Sequence, residues 1–243
     1  KGYSVLLMDG QLDVHQVGQI EQKLEKTHCS RVDSDTLENL IRKEEAAKVT
    51  LTDEQRNALE QVFKSQMSVA GKKTEFYVAF EALGANANPV MITQSEYMRR
   101  MREMSAMQPG MSFYGEMPES YNLVLNTEHP LIKKVLADEE TACSEALAPV
   151  LADIKGWEAR QQDLRDKQNK KKPEEITQEE KDDMSQTNQQ LDELRGKRDK
   201  QLADYAAGDK LVHELIDLAL LGNGMLKGEP LASFIRRSLQ MIG

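Results

Sequence analysis

The spacing of hydrophobic positions near the start of the chain predicts a strand, a helix and a second strand. Residues 3–8 are an apolar run that predicts a buried strand, a helix is expected over about 12–25, and residues 28–33 predict another short strand. The helix has near-helical spacing at Leu12, Val17, Ile20 and Leu24. This order is typical of a small parallel α/β unit. It is too short for a complete domain, so we interpret residues 1–50 as the end of one.

The next part of the chain alternates helices with short strands. Helical spacing resumes over 36–47, and Thr52 is expected to cap a helix that runs to about Met67. That helix should bury Leu59, Val62 and Phe63. The pattern then predicts three strands at 76–80, 90–92 and 121–125, a helix over 95–107, and a short helix over 130–139 that Pro130 opens.

Residues 143–206 are charged and glutamine-rich, and they carry two heptad stripes separated by a break at residues 169–173. The first stripe is Leu147, Val150, Ile154, Trp157, Gln161 and Leu164. The second is Met184, Thr187, Leu191, Leu194, Arg198, Gln201 and Tyr205. We interpret the segment as an antiparallel helical hairpin. Because several stripe positions are polar, a single-helix or partly disordered charged linker is the alternative.

The chain ends with two predicted helices, over about 209–221 and 230–242, separated by Gly222, Asn223 and Gly224. Their large apolar side chains are Leu211, Leu215, Ile216, Leu218, Leu220, Leu221, Leu231, Phe234, Ile235, Leu239 and Ile242. The first helix is apolar around most of its circumference and must be covered on more than one side. Pairing with a second copy would form a two-fold four-helix bundle, so we predict dimerisation through these residues. The alternative is that both helices fold back onto their own domain.

Composition narrows the possible functions. The formal net charge is −9, which argues against nucleic acid as the main partner, since phosphate binding needs excess Lys and Arg. No run of eighteen apolar residues occurs, so no membrane contact is expected. Cys29 and Cys143 are far apart and do not suggest a disulfide framework, so a cytoplasmic location is expected. Because the chain starts with Lys1 rather than Met, we interpret it as a piece of a longer protein.

Catalytic and metal-binding signals are weak. The four histidines do not have the spacing of a two-histidine metal motif, and we find neither a phosphate-binding glycine loop nor a nucleophile elbow. His28 beside Cys29 could bind a metal, but a structural role is the simpler interpretation. We therefore predict no catalytic residues, no metal and no cofactor in this chain. An enzyme domain of another type is kept as an alternative.

Methionine is concentrated in one region, with seven of the 12 methionines between residues 91 and 117. Within the predicted helix over 95–107, a stripe is formed by Tyr97, Met98, Met101, Met104 and Met107. Methionine is flexible and polarizable, so an exposed stripe would adapt to many partner proteins. Apolar stripes usually face inward, however, and packing into the domain core is the alternative.

Four segments, in this order, resemble the ninety-kilodalton heat-shock chaperones, called HtpG in bacteria. Residues 3–8, with Leu12 and Asp13 after them, look like the strand and "(I/V)D" helix start near the end of the family's middle domain. Residues 97–101 resemble its "NMERIM" helix, and residues 125–132 are similar to its "INPDHPI". Residues 219–237 resemble its final helix pair. The resemblance covers about 1–140 and 207–243.

The resemblance implies a homodimeric, ATP-driven chaperone that binds non-native client proteins, with co-chaperones as further partners. It implies that the ATP and magnesium site lies in an N-terminal domain outside this chain, so that this part is not an enzyme. The "NMERIM"-like helix is associated with client contact. His15 occupies the position at which bacterial members often carry a client-contacting Trp, which puts that contact in question.

We therefore expect an α+β fold in which a small α/β tail of a middle domain covers 1–50. A C-terminal dimerisation domain would cover 51–243, with a short three-stranded sheet, an inserted hairpin at about 143–206 and two terminal helices. The expected function is dimerisation and client binding for an ATP-dependent chaperone. A coiled-coil adaptor, in which the hairpin is the functional part, is the rival interpretation.

Overall fold

The structure is a computed structural model that describes residues 5–8, 13–24, 26, 29, 31–32, 34, 48–67, 74–95, 97, 99–100, 119–172 and 175–242. Its helices in chain order are α1 (Asp13–Lys23), α2 (Asp53–Gln66), α3 (Pro130–Asn169), α4 (Gln178–Gly208), α5 (Lys210–Gly222) and α6 (Glu229–Ile242). Its strands are β1 (Thr74–Glu81), β2 (Val90–Thr93) and β3 (Glu119–Asn126). The predicted α+β class, mostly helical with one small sheet, is confirmed.

The chain divides into two compact units. The first comprises Lys1–Ala46, Gly71–Tyr77 and Ile92–Leu123, and the second comprises Ala47–Ala70, Val78–Met91 and Val124–Gly243. The three strands form one sheet in the order β1-β3-β2, with Val90, Ile92 and residues 123–125 buried. The three-stranded sheet expected from the sequence is therefore present, and each strand is slightly longer than predicted.

The first unit differs from the expected α/β tail in the residues that can be described. The helix predicted over 12–25 is present as α1. Val5 to Met8 are not in a strand, and Leu7 is 97% exposed, so a buried strand is wrong for these four residues. Cys29, Arg31 and Val32 are likewise outside any strand. Apolar composition alone does not make a strand, because a strand also needs a paired neighbour for its backbone groups. The helix predicted over 36–47 lies outside the described residues.

Local sequence explains where α2 begins and which face it buries. Thr52 accepts a hydrogen bond from the Gln55 backbone N–H, and the Gln55 side chain accepts one from the Thr52 N–H, so the two residues form a capping box. Leu59, Val62 and Phe63 are at most 1% exposed, as their spacing predicted. The helix ends at Gln66, one residue before the predicted end.

The predicted hairpin is formed by α3 and α4, which pack against each other. Their antiparallel direction follows from the cross-helix hydrogen bonds, because Gln168 contacts Glu180, Gln161 contacts Asn188, and Arg195 contacts Glu158. The short helix expected over 130–139 is wrong in length, since α3 continues for 40 residues. Nothing between 139 and 143 interrupts the helix, and the hairpin therefore begins at Pro130.

The hairpin seam follows the predicted stripe only in part. Leu147, Ile154, Thr187 and Leu191 are at most 5% exposed, as expected. Beyond Arg198, however, the buried positions are Leu202 and Ala206, whereas Gln201 is exposed and Tyr205 is half-buried. A straight helix drifts away from a strict seven-residue repeat, and here α4 also packs against α2, with Gln66 Nε2 donating to the Ala203 carbonyl. The base of the hairpin is thus a three-helix core.

The last two helices begin and end at recognisable signals. Asp209 Oδ1 accepts hydrogen bonds from the Leu211 and Val212 N–H groups at the start of α5. At its end, the Gly224 N–H donates to the Leu221 carbonyl and the Met225 N–H to the Leu220 carbonyl. Gly224 has a φ of 64°, and the arrangement is a Schellman motif, which needs a left-handed residue. The predicted turn between the two terminal helices is confirmed.

Within the described part of the chain, none of the helices combines the length and apolarity that crossing a membrane requires.

Candidate interaction surfaces

The terminal helix pair α5–α6 divides the predicted dimerisation residues into two groups. Leu215, Ile216, Leu220 and Phe234 are between 1% and 8% exposed, so they pack within their own chain. Leu218, Leu221, Ile235 and Leu239 are 52%, 40%, 48% and 64% exposed. Leu211 and Leu231 are half-buried, and the side chain of Ile242 lies outside the described residues. Among the members whose burial the structure describes, the four exposed residues Leu218, Leu221, Ile235 and Leu239, here called the terminal apolar set, are the most available for contact with another molecule.

A partly buried ion pair holds α5 against α6. Arg237 Nε lies 2.8 Å from Glu214 Oε1, and the same guanidinium also pairs with Asp217. Ser238 Oγ donates to the other oxygen of Glu214, whose side chain is 8% exposed. Because a charge-assisted pair of this kind fixes geometry, the two helices present Leu218, Leu221, Ile235 and Leu239 on a common support. Arg237 therefore connects the two helices.

The predicted client-binding residues lie in the first unit, and few of them can be placed. Tyr97 is helical and 66% exposed. His15 is exposed on α1, where its Nε2 is 3.0 Å from Gln19 Nε2. Met98, Met101, Met104 and Met107 lie outside the described residues. The exposure of Tyr97 and His15 is compatible with partner contact, and the methionine stripe stays a prediction.

A polar network that the sequence analysis missed connects α1 with the Tyr97 segment. Arg100 Nη1 lies 2.7 Å from Glu21 Oε2, and Arg100 Nη2 donates to the Cys29 carbonyl at 2.9 Å. Glu21 Oε1 also accepts a hydrogen bond from the Cys29 N–H at 2.8 Å. One carboxylate therefore fixes both the arginine and the backbone after α1. No spacing rule relates residues 21, 29 and 100, so only the fold reveals the network.

The segment that resembles "INPDHPI" has a structural task. Asn126 is fully buried, and its side chain donates to the Gly84 carbonyl and accepts from the Leu83 and Glu128 N–H groups. Glu128 accepts from the Gly84 N–H at 2.6 Å. His129 Nδ1 accepts from the Leu131 N–H and caps α3. These residues fix the loop between β1 and β2 and cap the first helix of the hairpin, so the motif has a structural role.

The described residues do not form a recognisable metal site. No group of three or more His, Cys, Asp or Glu side chains is arranged there to hold a metal ion. Cys143 is buried, and burial, followed by the nearby carboxylate of Glu139, raises the pKa of its thiol, which keeps the sulfur neutral.

Comparison with known proteins identifies the class. The chain is 52% identical over 242 residues to the chaperone protein htpG of Bacteroides fragilis (strain 638R). It is 51% identical over the same length to the HtpG proteins of Bacteroides thetaiotaomicron and Porphyromonas gingivalis (strain W83). The match includes the hairpin and covers the whole chain, and the chain spans 35% of the length of these relatives. No family model matches the chain. No solved structure matches it significantly.

The chain therefore belongs to the ninety-kilodalton heat-shock protein family of chaperones, which confirms the resemblance seen in its sequence. Within that family it is homologous to the C-terminal region of the HtpG chaperones.

Proposed function

We propose that this chain is the self-association and client-binding part of an HtpG-type chaperone. The observation that supports the proposal is the terminal apolar set, which stays exposed although its helices are firmly packed. The chaperone class of the relatives supports the same function. The whole protein's use of ATP and magnesium would then require residues outside this chain, and we expect no ATP hydrolysis by the chain alone.

The terminal apolar set is large enough to contribute to a dimer. Full burial of a large aliphatic side chain contributes about 1.5–3 kcal/mol, so one that is half exposed contributes roughly half of that on association. A two-fold interface would bury Leu218, Leu221, Ile235 and Leu239 from each copy. The total, on the order of 6–12 kcal/mol, is comparable with the association cost of about 4–15 kcal/mol. We therefore expect a dimer whose population depends on protein concentration.

Replacing Leu239 with Asp tests this interface. A carboxylate in the apolar contact would be desolvated without a partner, so the variant should be monomeric at concentrations at which the wild type is dimeric. Light scattering coupled to size exclusion measures the mass directly. Gln240→Asp is the matched control, because Gln240 is the next residue and is polar and exposed.

A Leu239→Asp variant that stays dimeric while folded, as judged by circular dichroism, would contradict the proposed interface. Phe234→Asp is a poorer test, although Phe234 belongs to the predicted set. Phe234 is 8% exposed within its own chain, so a charge there would disrupt the packing of α5 on α6 before any dimer formed.

Client binding is proposed for the segment that begins at Tyr97. Replacing Met98, Met101 and Met104 with Ser removes the apolar stripe, so affinity for a permanently unfolded client should fall by about tenfold or more while thermal unfolding stays unchanged. Fluorescence anisotropy with a labelled, reduced and alkylated client measures the affinity. Loss of the folded state would instead show that the methionines are part of the core.

A further inference from the structure

An open groove runs along α3, on the side where the first turns of α2 and part of α4 meet it. Its volume is about 740 Å³, within the usual range for ligand sites. Seven of its lining residues are apolar: Ala58, Leu136, Leu147, Ala148, Leu151, Ile154 and Leu202. The lining extends from Leu136 to Glu158 on α3, which corresponds to roughly 33 Å along the helix axis. The groove is therefore elongated and has an apolar lining.

Acidic side chains predominate among the charged groups of the groove. Five carboxylates line it, against two cations: Asp53, Glu54, Glu139, Glu140 and Glu158 against Lys155 and Arg198. Both cations already have carboxylate partners, since Lys155 Nζ lies 2.6 Å from Glu54 and Arg198 Nη2 lies 2.7 Å from Asp199. The groove thus has an excess of negative charge that its own cations do not balance.

Glu139 stands out among these carboxylates. It is only 4% exposed, yet it lines the groove, and it makes no hydrogen bond or ion pair with any described residue. Gln55 donates to the neighbouring Glu140, and Arg195 pairs with Glu158. A buried carboxylate without a partner is costly, and a cation that enters the groove would remove that cost.

We propose that this groove binds a polypeptide segment that places a lysine or arginine against Glu139 and apolar side chains along α3. A peptide fits better than a small polyamine, because the apolar lining matches side chains that a polyamine lacks. An extended segment of about ten residues spans roughly 33 Å, the length of the lined part of α3. The groove involves none of the terminal apolar set, so this inference stands apart from the proposed dimer interface.

A coupling experiment with the full chain tests the proposal. The probe is a fluorescein-labelled peptide of about ten residues with one central lysine between leucines, and its partner peptide has glutamine in place of the lysine. The lysine peptide should bind the wild type at least tenfold more tightly than the glutamine peptide, because its cation pairs with Glu139. Glu139→Gln should abolish this difference while leaving the affinity for the glutamine peptide unchanged. Fluorescence anisotropy gives all four affinities.

Two further variants separate the groove from general charge attraction. Glu145→Gln makes the same charge change at an exposed position of α3 outside the groove and should not alter binding. Ala148→Trp fills the groove at an exposed residue and should weaken binding of both peptides.

Three results would overturn the proposal. The first is equal binding of the lysine and glutamine peptides by the wild type, and the second is an equal effect of Glu145→Gln and Glu139→Gln. The third is evidence for a different occupant of the groove. Spermine binding that depends on Glu139, with no peptide binding, would be such evidence, and so would dissociation of the dimer by Ala148→Trp. Leu239→Asp should leave peptide binding unchanged, so failure of the dimer interface and failure of the groove are distinguishable.

Discussion

Two buried polar side chains, Glu139 and Thr187, lower the stability of the folded chain. Glu139 lies in the groove along α3 with only 4% of its surface exposed, and Thr187 lies inside the hairpin seam with a buried hydroxyl that has no hydrogen-bond partner among the described residues. By contrast, Asn126 and Glu214 are buried polar residues whose hydrogen bonds are supplied by nearby groups. The first pair marks sites where substitution should stabilise the chain.

Glu139 should make stability depend on pH in an unusual direction for a carboxylate. Burial, followed by repulsion from Glu140, raises the pKa of Glu139. The folded state therefore holds this proton more tightly than the unfolded state, and the resulting stability is present below the unfolded pKa of about 4.3 and is lost as pH rises through the folded pKa. Glu139→Gln removes this loss, so the variant's advantage over the wild type should grow between about pH 4 and pH 7.

Urea unfolding at several pH values, followed by circular dichroism, measures this advantage. The other charged groups that line the same groove are Asp53, Glu54, Glu140, Lys155, Glu158 and Arg198, and they are present in both proteins. Glu145→Gln, at an exposed position of the same helix, should show no such trend. A constant difference between Glu139→Gln and the wild type across the range would show that Glu139 has an ordinary pKa.

At the scale of elements, capping residues determine the helix boundaries and heptad spacing determines the hairpin. Thr177 and Glu180 form a capping box at the start of α4, as Thr52 and Gln55 do at the start of α2. A Thr followed three residues later by Gln in α2 and by Glu in α4 is visible in the sequence at both helix starts. The seam between α3 and α4 is well packed near its base, but it includes polar positions such as Thr187 and Gln161 further out.

Thr187→Val should strengthen the hairpin. The two side chains have nearly the same shape, and valine lacks the buried hydroxyl, whose missing hydrogen bond costs roughly 1–3 kcal/mol. We expect the free energy of unfolding to rise by about 1 kcal/mol or more, which urea unfolding measures. Thr141→Val is the control, because Thr141 is exposed and its hydroxyl already donates to the Ala137 carbonyl. Destabilisation by Thr187→Val would show that the hydroxyl is hydrogen-bonded in solution.

At the scale of the whole chain, the hairpin has two parts with different roles in the fold. Its base, with Leu147, Ile154, Leu202 and Ala206, packs into the core that contains α2. Its outer part is joined mainly by polar contacts such as Arg160 with Asp183. Both parts belong to the second unit, but the outer part lacks an apolar core comparable with that of the base.

Shortening the hairpin separates the proposed chaperone role from the coiled-coil adaptor. Gln161 and Asn188 are 2.6 Å apart through their side chains, so residues 162–187 can be replaced by a short glycine-rich loop without disturbing the base. We expect the shortened chain to keep its concentration-dependent dimer and its affinity for an unfolded client, as measured by light scattering and anisotropy. Loss of partner binding with an intact fold would favour the adaptor.

Much of this protein follows from local sequence. The caps at Thr52 and His129, the buried faces of α2 and the turn at Gly224 depend on contacts within a few residues, and the family was recognisable from short motifs. Local sequence wrongly predicts a buried strand at residues 5–8 and a helix end near 139. Strand pairing and the continuity of α3 depend on contacts outside such short segments.

Tertiary structure decided the features on which function depends. The sequence of α5 and α6 shows which of their positions are apolar. Only packing determines that Phe234 is covered by its own chain while Leu239 is 64% exposed. The pairing of Arg100 with Glu21, and the isolation of Glu139 in a groove built by three helices, join residues that are distant in sequence. Burial and charge pairing are properties of the assembled fold, since they depend on which surfaces meet.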